Sequence, residues 1–193
     1  MDLGVYHPRK FSKVTSEAEI GIDDLQIFRS HLHLEDTIEN NTLIAAYRDS
    51  ARQIIERELS VVMLNETWEY ATDAAPLGET IYLPKAPLVS VTSVTSYDDA
   101  DAATVYGSSN YLVDTSGNRI FLAQSSVWPS DLREFRSIVV SYVAGYGTDM
   151  TTLPPLLLQG RLIFVGHLWE NREDASMPKS VRQLVAPFMQ FES

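Results

Sequence analysis

The stretch that most constrains this chain is SIVVSYVAGYGTDMTTLPPLLLQGRLIFVGHLWENR, from Ser137 to Arg172. Ile138, Val139, Val140, Tyr142 and Val143 are β-branched or aromatic and favour a strand. Gly145 and Gly147 stop it, because glycine reaches backbone angles other residues avoid. Thr151 or Thr152 is placed to cap a helix whose first turn holds Pro154 and Pro155. Proline is tolerated there because the first helical amides have no intrahelical partner. Leu158, Leu162, Val165 and Trp169 follow at three- and four-residue spacing as one apolar stripe. A strand, a glycine turn and a proline-started helix in succession demand a fold of mixed class.

Upstream, the pattern is helical. Leu25, Phe28 and Leu32 line one face of a short helix that Asp23 or Asp24 can cap. A break near His33–Thr37 leads to the longest helix, expected over Ile38 to Val61 and capped by Asp36 or Thr37. Its apolar stripe reads Leu43, Tyr47, Ala51, Ile54, Ile55 and Leu59, with Arg48, Asp49, Arg52, Glu56 and Arg57 on the wet side. The small residues Ala45, Ala46, Ser50 and Ala51 allow another helix to approach closely. Before this, residues 1–20 have mixed charge and little periodicity, and read as an extended arm on which Tyr6, Pro8 and Phe11 could meet a partner or the body of the protein.

After Leu64 the period changes to two. Thr67–Thr72 and Thr80–Leu83 read as strands, the second ended by Pro84 and Pro87. Leu88–Tyr97 alternates along its length with neither face wholly apolar, which predicts a half-exposed or interfacial strand. Asp98–Ala102 forms a turn. Tyr111–Val113, a Ser116–Gly117–Asn118 turn and Ile120–Leu122 make a hairpin signature. Short strands at this spacing form an antiparallel unit. Beyond Arg172, Pro178 and Pro187 divide the chain into pieces too short to be stable alone. That segment still carries Met177, Val181, Leu184, Val185, Phe188, Met189 and Phe191, so it must dock on something. The expected class is α+β: a small helical bundle of about three main helices (21–64 and 150–174), a central antiparallel β insert (65–149), and an extended C-terminal tail (175–193).

Composition limits the chemistry. The formal net charge is −11 over 193 residues, which argues against a nucleic-acid-binding surface. From Glu66 to Glu134 ten acidic side chains stand against Lys85, Arg119 and Arg133, a net of −7. The β insert therefore holds most of the negative charge. There is no cysteine, hence no disulfide, thiolate site or cysteine nucleophile. The opening MDLGVYHPRKFSK lacks the apolar core of a signal peptide, and no run is long enough to span a bilayer; the expectation is a soluble protein made inside the cell.

No constellation of reactive groups assembles. His31 and His33 are two apart and point to different sides, with His7 and His167 elsewhere, so they read as surface or helix-end histidines rather than zinc ligands. Asp98, Asp99 and Asp101 lack the glycine and closing glutamate of a calcium loop. Gly145–Tyr146–Gly147 lacks the lysine and glycine spacing of a phosphate loop, and the prolines after it supply no amide donors. G-x-S-x-G is absent. Glu170, Glu173 and Asp174 lie at a helix C-terminus, an electrostatically poor place that Arg172 offsets, and Arg172 can stack on Trp169. No catalytic, metal or cofactor site is expected.

Several stretches together carry a resemblance: RSHLHLE, AAYRDSARQIIERELS, ETWEY, YLPKAPLVSVTSVTSYD, NYLVD, WP, the long run from Val139 to Glu173, and MPKSVRQLVAPF. In their order and spacing they resemble the head–tail connector (portal adaptor) proteins of long-tailed phages and gene transfer agents. Leu83–Val94, Val143–Gly147 and Trp169–Glu173 are the most specific parts, and the likeness covers roughly residues 20 to 190. The resemblance implies a virion structural protein, not an enzyme: a ring, usually of twelve copies, beneath the portal. Such a ring extends the DNA channel, through which DNA passes without specific binding, and joins head to tail. It implies the portal, a stopper or tail-terminator protein and further copies of the chain as partners, no membrane, and residence at the head–tail interface of a particle made in the host cytoplasm. Met177, Val181, Leu184, Val185, Phe188, Met189 and Phe191 would then bind the portal or another partner. Gly145, Gly147, Pro154, Trp169 and Arg172 would shape the structural turn and helix. The alternatives from other classes are a small acidic hydrolase and a ligand-binding module with a β-lined pocket.

Overall fold

A computed structural model describes residues 10–16, 22–74, 78 and 80–190, with backbone alone for 10–16 and 22–24. The fold is α+β, as the periodicities require. The chain forms two compact units, Met1–Ser16 with Glu66–Ala144 and Glu17–Asn65 with Gly145–Ser193.

The first unit holds the strands β1 (Lys10–Ser16), β2 (Glu66–Thr72), β3 (Thr80–Tyr82), β4 (Leu88–Tyr97), β5 (Ala103–Val105), β6 (Tyr111–Asp114), β7 (Arg119–Leu122) and β8 (Ile138–Ala144). They form a five-stranded sheet, β1-β2-β8-β4-β5, and a three-stranded sheet, β3-β7-β6, antiparallel throughout. β8 lies between β2 and β4, and its alternation is strict: Ile138, Val140, Tyr142 and Ala144 are buried and the residues between them are not. Burial pushes the Tyr142 hydroxyl above its ordinary range.

β4 spans the expected residues, but its alternation is misleading. Register shifts at Leu88/Ser90 and Val91/Ser93 insert one extra residue each. As a result Leu88, Val91, Val94 and Ser96 pair with Ala144, Tyr142, Val140 and Ile138, and the inward spacing is three, three and two. Within the stretch read as an arm, β1 adds to β2 at the edge of the sheet. Residues 1–9 and 17–21 lie outside the described residues.

The second unit holds α1 (Ile22–Leu32), α2 (Ile38–Leu59), α3 (Pro155–Glu170) and α4 (Lys179–Val185). α1 begins before Asp23 and Asp24, which fall inside its first turn rather than capping it. It ends at His33, whose left-handed backbone (φ 54°) makes the break. Thr37 caps α2, its hydroxyl accepting from the Asn40 amide at 3.2 Å. The buried stripe of α2 is Ile44, Arg48, Ala51, Ile55 and Leu59. It is turned from the expected one: Ile44 replaces Leu43, and Arg48, expected in water, is buried. α3 buries Leu157, Gly160, Arg161, Leu162, Phe164, Val165 and Leu168, more than half of its circumference, with Leu158 and Trp169 half-buried and Leu156 and Gln159 exposed. A helix apolar on all sides belongs at the centre of a bundle. Residue Pro154, not Thr151 or Thr152, precedes its first turn; Asp149 instead caps a short 3-10 turn at Met150–Thr152.

The glycine turn behaves as its sequence requires. Gly145 has φ 147°, and a Cβ there would lie 2.6 Å from the backbone of Leu64 and Asn65. Gly147 (φ 153°) is closed off by the Thr152 side chain. The Asn65 amide donates to the Gly147 carbonyl at 2.7 Å, and the Tyr146 amide to the Met63 carbonyl at 3.2 Å. Gly145→Ala is expected to cost about 1–3 kcal/mol from backbone conformation alone, read as a lower urea midpoint. Gly78→Ala, with nothing within 4 Å of the added carbon, is the control; equal midpoints for the two variants would refute the assignment.

Candidate functional site

In the β unit Arg119, Arg133 and Arg136 are engaged by carboxylates. The Arg119 Nε lies 2.9 Å from Asp114, the Arg133 Nη1 2.9 Å from Asp101, and the Arg136 Nη2 3.5 Å from Glu69. Asp73 accepts from the Arg136 amide at 2.9 Å. Asp98 folds its own turn, accepting from the Ala100 and Ala102 amides at 2.9 and 2.8 Å. Asp99, Asp101, Arg133, Glu134 and Phe135 line an open hollow. These contacts tie off loops, and no nucleophile–base pair or ligand set is among them. Among the described residues no three His, Asp or Glu side chains converge as a metal site, and no helix is long and apolar enough to cross a membrane.

The histidines are dispersed. His31 is exposed on α1 and His33 sits in the break after it. His167 faces Asp174 at 3.7 Å and Asn171 at 3.3 Å, at the end of α3. Residue His7 lies outside the described residues. The structural set takes the positions its chemistry suggests: the Arg172 guanidinium lies 5.7 Å from the Trp169 ring centroid, and Trp169 meets Tyr47 edge-on at 6.1 Å. Pro154 accepts the first amides of α3, from Leu157 at 2.9 Å and Leu158 at 3.1 Å.

The C-terminal segment, expected to be an extended tail, is helical where Val181, Leu184 and Val185 share a face. Met177, Val181 and Val185 are buried in the chain's own bundle. The absent side chain at Gly160 makes room for this, since a Cβ there would lie 2.5 Å from Val185. Leu184 is half-buried, Phe188 and Met189 pack partly against the same core, and Phe188 meets Tyr146 edge-on at 6.2 Å. The Gln190 amide donates to the Leu59 carbonyl at 2.9 Å, and Arg182 pairs with Glu58 at 3.2 Å. Phe191 lies outside the described residues.

Two features escaped the sequence reading. Arg161 is fully buried; its Nη2 donates to the Arg48 carbonyl at 3.3 Å and its guanidinium lies 5.5 Å from the Phe28 ring centroid. Its spacing of four from Leu157 and from Val165 was the available signal. The second is the outward face of the three-stranded sheet. There Arg119 lies 4.6 Å from the Phe121 ring centroid and 5.8 Å from that of Tyr82, held by Asp114.

Asp114 has the lowest pKa of this face. The Ser116 hydroxyl first, then Arg119 and the Gly117 amide, hold its carboxyl at about 2 against an ordinary 3.8. Because the folded value is depressed, its contribution to the β6–β7 turn is complete above about 3.8 and is lost as pH falls toward 2. In Asp114→Asn that part of the acid dependence should vanish, seen as flat amide shifts of the turn across this range by NMR. A titration identical to that of the unmodified chain would contradict the assignment.

No protein-family model matches the chain, and no curated protein matches it. Solved structures do. The chain superposes on a subunit of the neck of an empty gene transfer agent (GTA) particle with C6 symmetry, at a TM-score of 0.79 and 22% identity, covering 95% of this chain and 97% of that one. It matches a chain of the virion of the native gene transfer agent particle at 0.77 and 22%, covering 95% and 96%. It also matches a chain of the native neck with C12 symmetry at 0.77 and 22%, covering 95% and 97%. The chain therefore has, over nearly its full length, the fold of a component of gene transfer agent particles.

Proposed function

We propose that the chain is a head–tail connector (portal adaptor) subunit of a tailed phage or phage-like particle. In this reading twelve copies form a ring beneath the portal, extend the DNA channel and join head to tail. The observation that carries it is the end-to-end likeness in fold to chains from particle necks of C6 and C12 symmetry. The dispersal of the titratable groups among the described residues supports a role in geometry rather than catalysis. The partners are the portal on one side and a stopper or tail-terminator protein on the other. The acidic surplus of the β unit repels a DNA backbone, in keeping with DNA that passes without specific binding.

The C-terminal segment has two jobs in this proposal. Met177, Val181 and Val185 hold it to its own bundle, while Leu184, Phe188, Met189 and Phe191 contribute the side offered to the portal or another partner. Removing residues 178–193 would therefore unfold the helical unit, and a narrower change is the useful one. Met189→Ala combined with Phe191→Ala should leave the melting transition within a few degrees of the unmodified chain and weaken portal capture at least tenfold. Capture at full strength would sink the role of the tail.

Particles assembled without this chain decide the larger claim. Electron microscopy should show filled or emptied heads and free tails. Heads still joined to tails would refute the connector role.

A further inference from the structure

Among the described residues the outward face of the three-stranded sheet is partly exposed. In the strand register Thr80, Phe121 and Leu112 form one cross-strand row and Tyr82, Arg119 and Asp114 another. The row between them, Ile81, Ile120 and Val113, turns to the opposite side, where Ile81 and Ile120 are buried and Val113 is 41% exposed. The two outward rows therefore share one face. Leu112 is 64% exposed and Tyr82 45%. Arg119 is fixed over Phe121 and Tyr82 by its ion pair with Asp114. An arginine held between aromatic rings beside an exposed leucine has the composition of an interface centre, and it is already in position.

A second patch of different character lies at the free edge of the five-stranded sheet. Val105 on β5 is 66% exposed and Val127 is 79% exposed. The Tyr106 hydroxyl donates to the Val127 carbonyl, and the Tyr106 and Trp128 rings are 5.5 Å apart. Neither Ala102–Val113 nor Ile120–Ser130 contains a charged residue. In the first patch Asp114 balances Arg119. Both patches are thus electrically neutral places on a unit that is otherwise strongly acidic.

The geometry points to a head-to-tail contact between copies of this chain. The Tyr82–Leu112–Arg119–Phe121 face of one copy seats against the Val105–Tyr106–Val127–Trp128 patch of the next. This rests on the ring reading above and names the surface that builds the ring. Copies that each carry −11 repel wherever acidic surface meets acidic surface, and these patches are where they approach without that cost. Face against identical face would bring two Arg119 guanidinium groups together. Face against patch instead sets Arg119 toward the Tyr106 and Trp128 rings, whose π-faces attract a cation. A contact between two different patches is heterologous and generates a ring when its rotation closes.

The absence of cysteine gives a clean test. Leu112→Cys and Val127→Cys are expressed separately and together in cells that make the particle. Purified particles are treated with a short bis-maleimide and run on a denaturing gel. Particles carrying both variants together should yield a covalent dimer of this chain, and particles carrying either alone should not. A dimer from one variant alone would overturn the proposal in favour of a face-to-face contact. A cross-link to another particle protein would assign the face to that protein and overturn it as well. Monomer alone, in particles whose necks contain the chain, would overturn the contact and leave the ring reading standing. Absence of the unmodified chain from particles would overturn both. Thr80→Cys with Val105→Cys, on the same two surfaces, replaces the first pair if either of its variants stays out of particles.

Discussion

The structure depends on a close approach of two chain segments that are far apart in sequence. Residues 63–65 and 145–147 are joined by two backbone hydrogen bonds, and Gly145 sits against the backbone of Leu64 and Asn65 with no room for a side chain. The continuations of those segments pair as β2 and β8, starting at Glu66 opposite Ala144. So the two passages between the helical and β units lie side by side. An insert of some eighty residues is costly to close only in the entropy of bringing its ends together, a term that grows slowly with length. Here that closure is made by glycines and main-chain bonds, which do not depend on the sequence of what is inserted. Ser137–Arg172 constrains the fold because it supplies one side of this joint, the middle strand of the sheet and the central helix in one run.

The central helix explains the rest of the helical unit. α3 touches α1, α2 and α4, and a helix with three helical neighbours must offer each a fitting surface. Gly160 is the fit for α4, because its missing side chain admits Val185. Arg161 is the exception in kind. A guanidinium is the most tolerable cation in a core, since it is weakly hydrated and stacks on rings. Here it has the Phe28 ring and the Arg48 carbonyl beside it. The stem of Arg48 lies in the same stripe of α2, so two arginines help fill a core that the hydropathy pattern alone assigns to leucine and isoleucine.

What was legible in the sequence was what local chemistry decides. The β6–β7 turn is written in Ser116–Gly117–Asn118, and Asn118 adopts the left-handed conformation that such turns need. Thr37 caps α2, and β8 alternates because both its neighbours hold it in register. What was not legible was decided by partners distant in sequence. β1 is a strand because β2 offers it an edge. The face of β4 that looks inward follows from two bulges, which preserve the appearance of alternation while shifting it twice. α2 is rotated relative to its expected stripe because the long stem of Arg48 can lie on an apolar surface while its head finds Asp49 at 2.9 Å. The docking of the C-terminal segment on its own bundle was not legible because the space that receives Val185 is a missing side chain on a different helix.

The candidate surfaces follow the same division. Each arginine of the β unit that pairs with a carboxylate closes a turn or loop. The informative signal was the distribution of charge: long uncharged runs, Ala102–Val113 and Ile120–Ser130, inside the most acidic part of the chain. Uncharged sequence in an acidic unit reads as core when strands bury it, and Ile120 and Leu122 do so. Leu112, Val105 and Val127 do not, and remain in water. Exposed apolar groups grouped on two separate surfaces have a geometric meaning that singly scattered ones lack. Two unlike surfaces on one subunit define a direction from each copy to the next, which a self-complementary surface cannot. The proposed ring requires that direction, and an acidic exterior confines association to the neutral places left on it.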